Sequence, residues 1–162
     1  MGQPLYLPNN TLLVIEAVSG SNAMTLTPYA ARGLTQTLEP ITGLGAGGAA
    51  LGTWLRRDLR ANLLDLSNPI LRKYESVISC RDTETPCLDG AWIGLEVLVS
   101  CVVELNYLTG MTPQRTPVAG SSRSEGTFTF YRPQLQMRVA SIKNNFQEYQ
   151  AAYAWQIQLA EM

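Results

Sequence analysis

Hydrophobic and polar residues alternate along much of this chain, most regularly over residues 126–161, GTFTFYRPQLQMRVASIKNNFQEYQAAYAWQIQLAE. Leu135, Met137 and Val139 share one parity, and Gln134, Gln136 and Arg138 share the other. Further on, Tyr149, Ala151, Tyr153, Trp155, Ile157 and Leu159 fall in phase, opposite Gln150, Gln156 and Gln158. Successive side chains of a strand point to opposite faces. The pattern therefore predicts two half-buried antiparallel strands joined by a short polar loop. The wet faces carry amides and small alanines, not catalytic groups.

The same alternation marks further strands. Residues 93–107, IGLEVLVSCVVELNY, place Leu95, Val97, Val99, Cys101, Val103, Leu105 and Tyr107 on one face. Fifteen residues exceed the usual strand length, so a bend or bulge is expected near Ser100. Shorter strands are predicted over 11–18, over 32–41 ending at Pro40, and over 74–80. Residues 54–66 fit either a helical leucine stripe (Leu55, Leu59, Leu63, Leu66) or a small hairpin turning near Ala61-Asn62. The sum is a single all-β domain over residues 1–162, an antiparallel β-sandwich or barrel with long loops. Two stretches read as flexible loops: the glycine-rich segment 42–53 and the polar arm 108–125.

Composition sharpens this picture. Charged residues make up only 15 % of the chain, against about 25 % in ordinary globular domains. A surface so poor in charge favours association. Ten of the twelve cations are Arg, a residue enriched at interfaces where Lys is depleted. The net charge of −1 offers no footprint for a phosphate backbone, so no nucleic-acid partner is expected. No run of about 18 apolar residues predicts a membrane span. The N-terminal stretch lacks the basic region of a signal peptide, and its Met-Gly start lacks the Ser/Thr that myristoylation requires.

Candidate chemistry is sparse. The chain has no histidine, which removes Ser-His-Asp and Cys-His catalysis and most zinc sites. Glu96 and Glu104 lie about 27 Å apart along an extended strand at ~3.4 Å per residue, too far for a glycosidase pair. Asp82, Glu84 and Asp89 cluster on one predicted loop without the order of a calcium loop. The glycines at 43–48 miss the dinucleotide fingerprint by one place. Cys80 and Cys87 could close a small disulfide loop, or stay reduced in an intracellular setting, and Cys101 reads as a buried hydrophobe. No enzyme, cofactor or metal is expected. Phe128 and Phe130 run out of phase with Leu135 unless Pro133 shifts the register, so they are candidates for an exposed contact site. Arg115 and Arg123 are the candidate charged anchors of the arm.

Five segments add a resemblance. PYAARGLTQTLEPI (28–41), KYESVISC (73–80), DGAWIGLEVLVSCVVEL (89–105), GSSRSEGTFTFYRPQLQMRV (120–139) and YAWQIQLAE (153–161) together resemble small proteins encoded among the virion genes of tailed bacteriophages. The resemblance implies a structural virion component of the tail or tail tip, with capsid decoration or neck placement as the alternative. It implies a homo-oligomer bound to other virion proteins, assembled in the host cytoplasm, and it carries no catalytic residues. A host-surface carbohydrate-binding β-sandwich is the competing reading from another class. The two loops, 42–53 and 108–125, are expected to build contacts between subunits.

Overall fold

A computed structural model describes residues 13–18, 33–41, 55–65, 70, 72–84 and 91–162. The glycine-rich segment 42–53, Cys87 and Asp89 lie outside the described residues. The protein is all-β. Its strands are β1 (Val14–Ala17), β2 (Thr35–Pro40), β3 (Leu55–Arg57), β4 (Leu63–Asp65), β5 (Tyr74–Asp82) and β6 (Glu96–Ser100) in the first part. The second part holds β7 (Leu105–Leu108), β8 (Thr116–Pro117), β9 (Arg123–Glu125), β10 (Phe128–Tyr131), β11 (Pro133–Gln147) and β12 (Ala152–Glu161). All pairings are antiparallel. The main sheet runs β1-β6-β11-β12-β5-β2, with β8 attached to β11; β7-β10-β9 form a second sheet and β3-β4 a third.

The core belongs almost entirely to the main sheet. Ile15, Ile78, Val97, Val99, Leu135, Met137, Val139, Trp155, Ile157 and Leu159 form one buried cluster with Leu13, Cys80 and Cys101. Side chains of one flat sheet cannot bury one another, so the sheet must curl around them. Gln36 shows how far. It sits on β2, four strands from β6, a separation of about 19 Å in a flat sheet. Yet its Oε1 accepts from the backbone N–H of Val102, just after β6, at 2.7 Å, while its Nε2 donates to the Ser76 hydroxyl at 3.0 Å. The two ends of the sheet are tied across the interior by one amide, although the ladder does not close into a barrel.

The hairpin β11–β12 is the backbone of the fold, as its alternation predicts. The register breaks once, between Val139 and Ser141, where Ala140 is the extra residue of a bulge. Before it, Leu135, Met137 and Val139 face inward; after it, Ile142 lies opposite Ile157 and Phe146 opposite Tyr153. The bulge thus reverses the inward parity of β11, and the increased twist of such sites helps the sheet curl. The hairpin turns through a single 3₁₀ turn, Glu148–Gln150, followed by Ala151 in the left-handed region at φ +46°. Tyr149 and Ala151 therefore leave the strand face on which the alternation places them, and Tyr149 is fully exposed.

The predicted strand over 93–107 is two strands in two sheets. β6 ends at Ser100, residues 101–104 carry the chain across, and β7 belongs to the small sheet. Unbroken alternation cannot reveal a change of sheet, because both strands keep one apolar parity. Residues 54–66 resolve as the hairpin β3–β4. Its turn is built around Asp58. The Asp58 Oδ1 accepts from the backbone N–H groups of Arg60 and Asn62, both at 2.8 Å, and Ala61 takes φ +62°. The Asn62 backbone hydrogen bond holds the Asp58 carboxyl below its usual range. Stability from a lowered carboxylate is present at neutral pH and is lost as pH falls through its folded pKa. Asp58→Ala is expected to speed amide exchange of Ala61 and Asn62 while leaving the melting temperature of the main sheet unchanged.

Segment 108–125 is not a free arm. Thr116 and Pro117 pair with Gln134 and Pro133, Val118 N–H donates to the Arg132 carbonyl at 2.8 Å, and the Ser121 hydroxyl accepts from Arg132 N–H. Strands of two and three residues are too short for periodicity to detect, which is why this stretch reads as loop.

Candidate functional site

The small sheet has two unlike faces. Tyr131 and Thr129 are buried on one, with Tyr107 and Leu105 half-buried beside them. Hydroxyls of Ser124, Thr129 and Thr109 link its three strands at 3.1 Å each. The other face carries Phe128, Phe130, Leu108 and Arg123. Arg123 lies over the Phe130 ring at 4.7 Å and pairs with Glu104 at 2.9 Å and with Glu125. Three of the four sequence candidates, Phe128, Phe130 and Arg123, thus share one exposed face.

Arg115 is elsewhere and is engaged by its own chain. Its Nη2 donates to the Arg72 carbonyl at 2.8 Å and to Glu161 Oε2 at 3.1 Å. Its Nε lies 2.7 Å from Glu161 Oε1, although its N–H is not aimed along that contact. Its guanidinium covers the Tyr74 ring at 5.3 Å. Glu161 also accepts the Tyr74 backbone N–H at 2.8 Å, so one carboxylate joins the end of β12, the start of β5 and segment 108–125.

Between these two regions runs a groove of about 500 Å³, lined by Tyr74, Tyr107, Tyr131, Met111, Gln114 and Arg115 and by every residue from Glu104 to Leu108. Five consecutive residues of both parities can line a groove only if the strand's backbone edge faces it. Tyr107 and Tyr131 meet edge to face, 5.5 Å between centroids. Burial holds the Tyr131 hydroxyl above its usual pKa, opposed by a hydrogen bond from the Arg115 backbone. Alternation places Tyr74 and Tyr107 at strand ends, but nothing in the sequence brings β5, β7 and β10 together.

The remaining candidates do not converge on chemistry. Glu96 pairs with Arg138 and Glu104 with Arg123. Asp82 is buried, its Oδ1 accepting the Thr83 N–H at 2.8 Å. Among the described residues no three His, Cys, Asp or Glu side chains stand close enough to hold a metal, and no helix is long and apolar enough to cross a membrane. The proposed partner of Cys80, Cys87, lies outside the described residues. Cys101 is fully buried, and burial pushes its thiol up to about 11, against the opposing hydrogen bond with Gln36. At pH 8 about one Cys101 in a thousand is thiolate. Iodoacetamide is therefore expected to leave Cys101 unmodified in the native protein and to alkylate it in denaturant, as peptide mapping will show.

Compared with known proteins, the chain matches no family model, no curated protein and no solved structure, so the functional reading rests on the geometry of this groove and of the faces around it.

Proposed function

We propose that this chain is a non-enzymatic structural component of a tailed-bacteriophage virion, present in several copies at the tail tip, baseplate or fibre attachment. The observation that carries the reading is a β body with two exposed sheet faces, one rich in amides with balanced charge and one apolar. The outward face of the main sheet presents Gln134, Gln136, Gln156, Gln158, Thr35 and Thr37, interspersed with Glu39, Glu75, Glu96, Arg81, Arg138 and Lys143, whose charges cancel. The small sheet presents Phe128, Leu108 and Phe130 beside Arg123. Apolar and aromatic residues with arginine at the edge are the composition of protein interfaces. Capsid decoration or the neck is the alternative placement. A sugar-binding site in the groove has less support, because stacking there needs an open aromatic face. Arg115 covers Tyr74, while Tyr107 and Tyr131 occupy each other.

The test is mass spectrometry and cryo-electron microscopy of particles produced from the genome that encodes the chain. Stoichiometric presence in purified particles, with density at the tail, supports the proposal. Density on the capsid or neck would select the alternative placement. Absence of the chain from intact particles would sink both.

A further inference from the structure

We propose that the groove beside β7 accepts one extended, uncharged segment of a partner protein as a fourth strand of the small sheet. The register determines which backbone groups are on offer. Thr109 N–H donates to the Thr127 carbonyl, and Tyr107 and Leu105 lie opposite Thr129 and Tyr131. In an antiparallel ladder, bonded and non-bonded positions alternate. The odd positions of β7 therefore bond to β10, and Asn106 and Leu108 turn their backbone groups away from it, into the groove. The Leu108 carbonyl is taken by Met111 N–H at 3.0 Å. The Asn106 N–H, the Asn106 carbonyl and the Leu108 N–H meet no described partner. Alternate backbone donors and acceptors about 6.8 Å apart are the template on which an added strand pairs.

The groove also states what kind of strand fits. Its charged walls are already paired within the chain, Glu104 with Arg123, which Glu125 shares, and Arg115 with Glu161. A charged segment would lose water there without gaining a counter-ion. Gln114, Thr112 and Asn106 offer neutral hydrogen bonds, while Tyr107, Leu105 and Met111 offer apolar contact. β7 is four residues long, so a strand of four or five residues fills the site. The groove favours a single strand over a second copy of the sheet edge, because Met111, Thr112, Gln114 and Arg115 line it as well and narrow the space beside β7.

The experiment uses the whole chain with a strand supplied in cis. Glu161 touches Arg115 in the groove wall, so the C-terminus starts beside the site. The probe is Thr-Val-Thr-Val-Thr, fused after Met162 through a flexible glycine-serine linker of about eight residues, which raises its effective concentration to the millimolar range. Amide hydrogen exchange is read by NMR at Asn106 and Leu108. Both amides are expected to exchange fast in the unfused chain and at least about ten-fold slower in the fusion. A control fusion with proline at its second and fourth positions is expected to give no slowing, since proline has no N–H to pair. In the fused protein, Asn106→Pro is expected to remove the protection at Leu108. Retained near-ultraviolet dichroism shows that the variant is folded, and if it is not, the proline-control fusion decides the proposal alone. No slowing in the fusion, or equal slowing with the proline control, would overturn the proposal. So would slow exchange at both amides in the unfused monomer, which would mean that the edge is already paired. The assay contains no virion, so its failure and that of the virion reading are separate results.

Discussion

Trp155→Ala is expected to destabilise the protein by about 3–5 kcal/mol, the range for truncating a buried aromatic side chain. Trp155 is 2 % exposed and is the largest fully buried side chain among the described residues. It sits on β12 between Cys80 on one neighbouring strand and Asn144 on the other, under the curl of the sheet. A sheet that wraps its own core has no second layer free to slide inward and refill the void, so little relaxation is expected. Its neighbour Gln156 points outward, and Gln156→Ala is expected to change stability by less than about 0.5 kcal/mol. Urea unfolding of the two variants, with unchanged m-values, measures the contrast. Equal losses at the two positions would mean that the faces of β12 are assigned the wrong way round.

Arg115→Ala is expected to give the second large effect, about 2–4 kcal/mol, somewhat below the 3–5 kcal/mol typical of breaking a buried ion pair. The discount reflects exposure: the side chain of Arg115 is 22 % accessible and that of Glu161 10 %. The variant leaves a nearly buried carboxylate with only the Tyr74 N–H for company, uncovers the Tyr74 ring and frees the Arg72 carbonyl. The double variant Arg115→Met, Glu161→Leu removes both charges together. It is expected to recover more than half of the loss, because an apolar pair of similar volume often replaces a buried ion pair without penalty. A double-mutant cycle reads the coupling directly. Strictly additive losses would mean that the pair contributes nothing beyond its separate contacts.

Much of the fold was legible because alternation reports burial directly. Leu135, Met137, Val139, Trp155, Ile157 and Leu159 are buried as their parity requires. What alternation lacks is any record of which strand pairs with which. Val99 and Leu105 share a parity yet lie in different sheets, since the chain crosses over at residues 101–104 without losing phase. It is equally blind to short pairings, so Thr116-Pro117 and Arg123–Glu125 read as loop. The candidate site suffered on both counts. Phe128, Phe130 and Arg123 were recognisable from their phase and neighbours, and they do share a face. Arg115 has the same local surroundings in sequence, but its carboxylate partner lies 46 residues away, beyond the reach of any local pattern. The groove was invisible for the same reason: its tyrosines come from three strands of two sheets.

The extra residue at Ala140 turns the length of β11 into a counting constraint. Residues before it put odd positions on the core face, and residues after it put even ones on that face, Ile142 against the core and Phe146 half exposed beyond it. Removing Ile142 with the bulge kept would place Lys143 and Asn145 on the face that Ile142 and Phe146 now hold and turn Phe146 to the other. Removing Ala140 itself would only delete the bulge, since Val139, Ser141 and Ile142 then alternate without a break and the distal pairings are kept, Arg81's contact with Gln147 included. Two-residue changes preserve the faces and merely shorten the ribbon. Among descendants of this sequence, this strand should therefore accept insertions and deletions in even steps, while a single-residue deletion should survive at the bulge, where it restores plain alternation, and elsewhere only where a compensating change restores the count.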